Sequence, residues 1–312
     1  MFGKIFAPRY RIAWGALGVV LILAIALAFP PVRAIANSFL GLFRVQQIAV
    51  VQVNPGDLPE QLGTSSQLEN LISSNVSFEE TGEPQEVTSV EEASQLAGLP
   101  VRLPEGIEGE RLLKIQPGGW VSFDIDYQLV QAVLNEIGRE DIQLPPSIDG
   151  ATVTMDIPTA VAAMYGSCEA DLEEARQAAR EEGYDPDDPS IPHLPNCTTL
   201  MQMPSPVIEA PPGIDIAQLG EAFLQVMGLS PEEAAQFSQT VDWTTTLVVP
   251  IPRYGMAYEE VSVDGVEGIL ILQDEKVRDE NYVLIWVKEG VLYTLTGPGD
   301  EAEALRIANS LR

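Results

Sequence analysis

The chain has 312 residues, with 46 acidic side chains against 17 basic ones and a formal net charge of −29 at pH 7. So acidic a surface repels phosphate backbones, which excludes nucleic acid as a partner. With one histidine and two cysteines, the composition assembles neither a four-ligand zinc site of the usual kind nor a metal or cofactor centre built on them. A nucleophilic triad would have to use His193 as its base, and that residue sits in the loop Pro192-His193-Leu194-Pro195 with no partner suggested nearby.

The charges are unevenly spread. All 46 acidic residues lie at or beyond Asp57, whereas Lys4, Arg9, Arg11, Arg33 and Arg44 precede it. From Ile12 through Trp14 to Phe29 the chain is apolar and carries no charge. At about 1.5 Å per residue, a helix there just spans a hydrocarbon core of about 30 Å. We therefore expect a transmembrane helix over 12–30. Lys4, Arg9 and Arg11 place the short tail 1–11 in the cytoplasm and the remainder outside. The rival reading is a cleaved signal peptide ending near Ala34-Ile35-Ala36. Against it, Val32, Ile35, Ala36, Phe39, Leu40 and Phe43 recur at helical spacing opposite Arg33, Asn37, Ser38 and Arg44, which suits an interfacial amphipathic helix over 31–44.

Residues 45–53 are β-branched and apolar and end at Asn54-Pro55-Gly56, so they read as a strand. The stretch 54–87, rich in Ser, Glu, Gly and Pro, reads as a linker-like excursion. Ser89-Val90-Glu91-Glu92 opens a short helix that Gly98 closes, and Leu99 to Pro104 is extended and proline-limited. Strands follow at 111–115 and 119–125, then a helix at 127–138, a strand at 151–155 and a short helix at 158–165. Cys168 and Cys197 bracket a charged helix (171–182) and the acidic loop Asp185-Pro186-Asp187-Asp188-Pro189. Outside the cytoplasm the two cysteines are most simply a disulfide, closing a surface insertion over 168–197 and adding roughly 3–4 kcal/mol. The acidic loop offers carboxylates to calcium, yet it lacks the glycine and distal glutamate of a calcium loop, so an acidic turn is the expectation.

Helices are expected at 215–227 and, from the capping box Ser230-Pro231-Glu232-Glu233, just beyond. The texture then changes to strands at 246–251, 268–273, 282–288 and 291–296. Glu289-Gly290 joins the last two as a hairpin, and a helix over 301–311 ends the chain. Helices set between groups of antiparallel strands make the class α+β, and a curved antiparallel sheet with helices packed on one side is the expected architecture over 45–312.

Two stretches carry a resemblance. Glu91-Glu92-Ala93 through Leu99-Pro100-Val101-Arg102-Leu103-Pro104-Glu105-Gly106 resembles the opening of the extracytoplasmic domain of bacterial anti-sigma-factor-like membrane proteins. Trp286-Val287-Lys288-Glu289-Gly290-Val291-Leu292-Tyr293, with Ile307 to Leu311, resembles how those domains close. The family singles out Pro100, Pro104, Trp286, Gly290 and Tyr293. It is similar in turn to RseB/MucB-type regulators and lipoprotein carriers, whose half-barrels cradle acyl chains. The cytoplasmic zinc domain of such proteins has no counterpart in residues 1–11, which hold neither His nor Cys.

The resemblance and the anchor imply a single-pass protein of the bacterial cell membrane. Its outer domain is expected to bind or sense a lipid or an envelope protein without catalysis or cofactor. An accessory subunit of an envelope transporter or secretion complex is the alternative. A carboxylate-based hydrolase using Asp124 and Asp126, two residues apart on a strand, is the weakest reading.

Overall fold

The structure is a computed structural model that describes residues 45–53, 74–107, 109–136, 138–142, 144–166, 168, 177, 197–209, 216–243, 245–253, 256–273 and 281–312. In chain order the strands are β1 (Gln47–Val53), β2 (Val76–Glu80), β3 (Gln85–Val87), β4 (Arg111–Gln116), β5 (Gly119–Asp124), β6 (Thr152–Ile157), β7 (Ala160–Tyr165), β8 (Thr198–Pro204), β9 (Val207–Glu209), β10 (Thr246–Pro252), β11 (Met256–Val263), β12 (Val266–Gln273), β13 (Asn281–Lys288) and β14 (Val291–Pro298). The α-helices are α1 (Val90–Ala97), α2 (Tyr127–Glu136), α3 (Ile216–Val226), α4 (Pro231–Ser238) and α5 (Glu301–Ala308).

The class is mixed α+β and mostly sheet, but the strands form three sheets rather than one. Eight run antiparallel in the order β11-β12-β13-β14-β8-β7-β4-β3, and four in the order β2-β5-β6-β9. The strand at 45–53 joins neither: β1 pairs with β10 in a separate parallel ladder, Gln47 opposite Thr246 through Val53 opposite Pro252.

The membrane placement needs correction. The expected transmembrane helix at 12–30, with Ile12, Trp14 and Phe29, and the interfacial helix at 31–44 lie outside the described residues. Among the described residues no helix is long and apolar enough to cross a membrane. The longest, α3, has 11 residues and at about 1.5 Å per residue reaches only about half of a 30 Å core. A single-pass cell-membrane location, and the transmembrane part of the expected fold, are therefore not carried further.

Two more expectations change. The linker-like excursion contains β2 and β3: Val76 and Phe78 alternate inward with Ser77 and Glu79 outward, a period that composition alone conceals. The helix expected at 158–165 is the strand β7. Its sequence AVAAMY favours helix locally, yet it lies between β4 and β8 with Val161, Ala162 and Ala163 buried, and tertiary burial overrides propensity.

Helices split between two cores instead of covering one side. On the inner face of the eight-stranded sheet, Leu113, Val161, Leu200, Leu284, Trp286 and Leu295 pack with Ala93 and Ala97 of α1 and with Ala304, Ile307 and Ala308 of α5. The second core joins Val121, Phe123, Val153 and Met155 of the four-stranded sheet to α2, α3 and α4 and to Trp243. There Gly220 of α3 is obligatory in size, since an added Cβ would lie 2.5 Å from the Trp243 ring. The β1–β10 ladder covers part of the large sheet's outward face, bringing Ile251 against Ile269 and Ile271. Helix starts follow the capping residues expected from sequence: Ser89 caps α1, and Ser230 with Glu233 forms the full reciprocal box at α4.

Candidate functional site

The segment 99–106 and the chain's end, far apart in sequence, meet around Arg102. Its backbone N–H donates to Oε1 of the buried Gln202 (2.9 Å), and Gln202 Nε2 donates back to the Arg102 carbonyl (2.8 Å). The guanidinium forks onto the Asp264 carboxylate (Nη2 to Oδ1 3.0 Å) and also donates to the Leu311 carbonyl (3.0 Å). It stands 6.0 Å from the centre of the Tyr293 ring. Lys288 Nζ donates to the Asp264 carboxylate (2.8 Å) and to its carbonyl (2.6 Å), while the Asp264 N–H donates to Asn309 Oδ1 (2.7 Å). Alongside, Leu103 and Arg312 exchange both backbone hydrogen bonds, and the Glu105 N–H donates to Ser310 Oγ.

The local geometry follows from turn chemistry. Asp264-Gly265 (φ 51° and 80°) and Glu289-Gly290 (φ 52° and 76°) are both tight hairpin turns with two consecutive left-handed residues, a form for which Asp-Gly is favoured. Both turns lie at the same end of the large sheet, because β12 pairs antiparallel with β13. That brings the Asp264 carboxylate to Lys288.

Burial pushes the Asp264 carboxyl pKa up, but the hydrogen bonds and charges of Arg102 and Lys288 outweigh it and hold the carboxyl below its usual range. The same pairing raises Arg102 further above neutrality. The cluster thus joins the 99–106 segment, the Asp264-Gly265 turn, Lys288 and the chain's last residues as a clamp.

Of the five residues that the resemblance singles out, Tyr293 faces the Arg102 guanidinium. Trp286 and Tyr293 sit opposite each other on β13 and β14, both buried, with rings 5.0 Å apart and 7° from parallel. Gly290 makes the turn, Pro104 is buried and Pro100 is exposed. Cys168 and Cys197 are bridged and buried, with Cα atoms 5.2 Å apart. Asp185 to Asp188 and His193 lie outside the described residues. Asp124 and Asp126 do not share a strand: Asp124 accepts from Thr152 Oγ1 (2.5 Å), while Asp126 accepts from the Leu129 N–H (2.9 Å) at the start of α2. Among the described residues no group of three or more His, Cys, Asp or Glu is placed to hold a metal ion.

Two surfaces escaped the sequence reading. On the outward face of the large sheet, Met201 is 37 % exposed and shares that face with the half-buried Met164, Met203 and Leu112. On the outward face of the four-stranded sheet, Trp120 is 38 % exposed. The period-2 alternation in Thr198–Pro204 and in Gly119–Asp124 carried the signal, but alternation alone does not say which face meets solvent.

The fold and clamp define a sheet-rich α+β protein stapled through its C-terminal hairpin and helix. Residues 239–311 match the model of a family described as a domain of unknown function, DUF4367. The match takes in β10 to β14 and α5, less than a quarter of the 312-residue chain. Neither a curated protein nor a solved structure matches the chain.

Proposed function

We propose that this protein is a non-catalytic binding module that takes an apolar group, either a lipid chain or an apolar protein segment, on the outward face of the eight-stranded sheet. The observation that carries the proposal is the methionine patch. Met201 is exposed mid-strand in β8, flanked across the sheet by Ala162 and Thr294, with Met164 and Met203 on the same face. Methionine is flexible and polarizable, and suits surfaces that adapt to apolar ligands. The disulfide ties the two ends of the 168–197 segment beside this patch, with Sγ atoms 3.9 and 4.0 Å from Thr199 Oγ1. The resemblance to anti-sigma-like sensor domains and lipoprotein carriers agrees with such a role.

The test is titration of the full chain with Nile red, a neutral apolar dye that the acidic surface does not repel. Saturable binding that Met201→Glu abolishes is expected. Binding that is absent, or indifferent to Met201→Glu, overturns the proposal. Native mass spectrometry then separates the sources: an adduct of lipid mass lost on denaturation marks a lipid chain, and dye binding without one marks a protein segment.

A further inference from the structure

The open face of the four-stranded sheet has a composition of its own. Register places Trp120 directly opposite Glu79 on β2 and directly opposite Asp156 on β6. Neighbouring strands lie about 4.8 Å apart, so the indole is bracketed by two carboxylates in one row across the sheet. All three side chains are exposed. The next row is Ser77, Ser122 and Thr154, and beyond it Asp124 accepts from Thr152. The inward side chains of the same strands, Val121, Phe123, Val153 and Met155, belong to the core, so the acidic row is not a by-product of a polar sheet. Among the described residues this face presents no cationic side chain.

An exposed tryptophan attracts a cation to its ring face. Carboxylates on both sides add charge-assisted hydrogen bonds, which a planar guanidinium accommodates best. The net charge of −29 steers cations toward the molecule and anionic surfaces away from it. We infer that the outward face of the four-stranded sheet, with Trp120 between Glu79 and Asp156, is a docking surface for a basic, arginine-bearing protein segment. This surface is separate from the methionine patch and does not depend on it.

The experiment uses the full chain and a fluorescein-labelled peptide of alternating Arg and Gly, followed by anisotropy at physiological salt. Trp120→Ala is expected to weaken binding about tenfold, the equivalent of about 1.4 kcal/mol. Glu79→Gln with Asp156→Asn is expected to weaken it at least as much, and Glu79→Lys to abolish it. The charge-matched control Glu110→Gln with Glu267→Gln should change it less than twofold. Melting curves identify any variant that fails to fold, and Glu79→Lys, at an exposed position, then stands in for Trp120→Ala. Equal weakening by the control pair would reduce the effect to the general field of an acidic protein and overturn the inference. So would indifference to Trp120→Ala in a folded variant, or Trp120-dependent binding of a neutral oligosaccharide without binding of the peptide.

Discussion

Trp286 and Trp120 occupy comparable places, each near one end of a strand in an antiparallel sheet with a residue directly across on both sides, yet they have opposite fates. Trp286 is fully buried between Gly268 and Tyr293, stacking on the tyrosine; Trp120 is 38 % exposed between Glu79 and Asp156. The cross-strand neighbours make the difference. A Cβ on Gly268 would stand 2.6 Å from Val263 Cγ1 and 3.0 Å from the Trp286 Cβ, so only glycine fits beside Trp286 in this row. Around Trp120 the neighbours are charged, and burying them unpaired would cost far more than burying the ring would gain. One aromatic holds a core together and the other is left available for contact. The large sheet is covered on its inner face by α1 and α5.

The largest effect should come from removing the buried indole. Trp286→Ala is expected to cost about 4 kcal/mol in urea unfolding, whereas Trp120→Ala should stay within about 0.5 kcal/mol of the parent. Equal costs would break the contrast. Opening the Cys168–Cys197 bridge by Cys168→Ser with Cys197→Ser should lower stability by about 3 kcal/mol in the chain-entropy account. Trp120-dependent binding should survive that change if the two faces are independent.

Asp264→Asn leaves Arg102 and Lys288 without their shared anion, at a cost of about 2 kcal/mol for this partly buried cluster. A double-mutant cycle with Arg102→Ala should show a coupling of about 1 kcal/mol or more. The pH dependence has a definite sign. The Asp264 carboxyl is depressed in the folded state, so its stabilisation is present above the ordinary carboxylate value of about 4 and is lost as pH falls through the depressed one. Glu233, held at about 2 by the Ser230 N–H, Arg253 and the Ser230 hydroxyl, acts in the same direction. Urea midpoints measured from pH 5 to pH 2 should fall for the parent and fall less for Asp264→Asn. The smallest effect is expected at the α4 capping box, where Ser230→Ala should cost about 1 kcal/mol.

Much of the fold was legible where local chemistry is strong. The capping serines, the Glu289-Gly290 turn, the alternating strands of the last third and the cysteine pair stand where the residues place them. Strand β7 was not legible, because alanines with helix propensity become strand only through neighbours on both sides. The division into three sheets was hidden for a similar reason: parallel pairing of β1 with β10 joins residues nearly 200 positions apart. The clamp was half legible. The segment around Arg102, the hairpin at Trp286 and the stretch holding Asn309 stood out by resemblance, but Gln202 is a single polar residue with no local pattern, and the Asp264-Gly265 turn signal does not say which cations its carboxylate meets. The two open faces could not be read, because exposure depends on what other elements cover.

Hydroxyl-radical footprinting of the full chain, read by mass spectrometry residue by residue, tests the contrast between closed and open faces most directly. Matched pairs remove intrinsic reactivity: Trp120 against Trp286, and Met201 against the buried Met155. The account predicts fast oxidation of Trp120 and Met201 with protection of Trp286 and Met155. Comparable rates within either pair would contradict it.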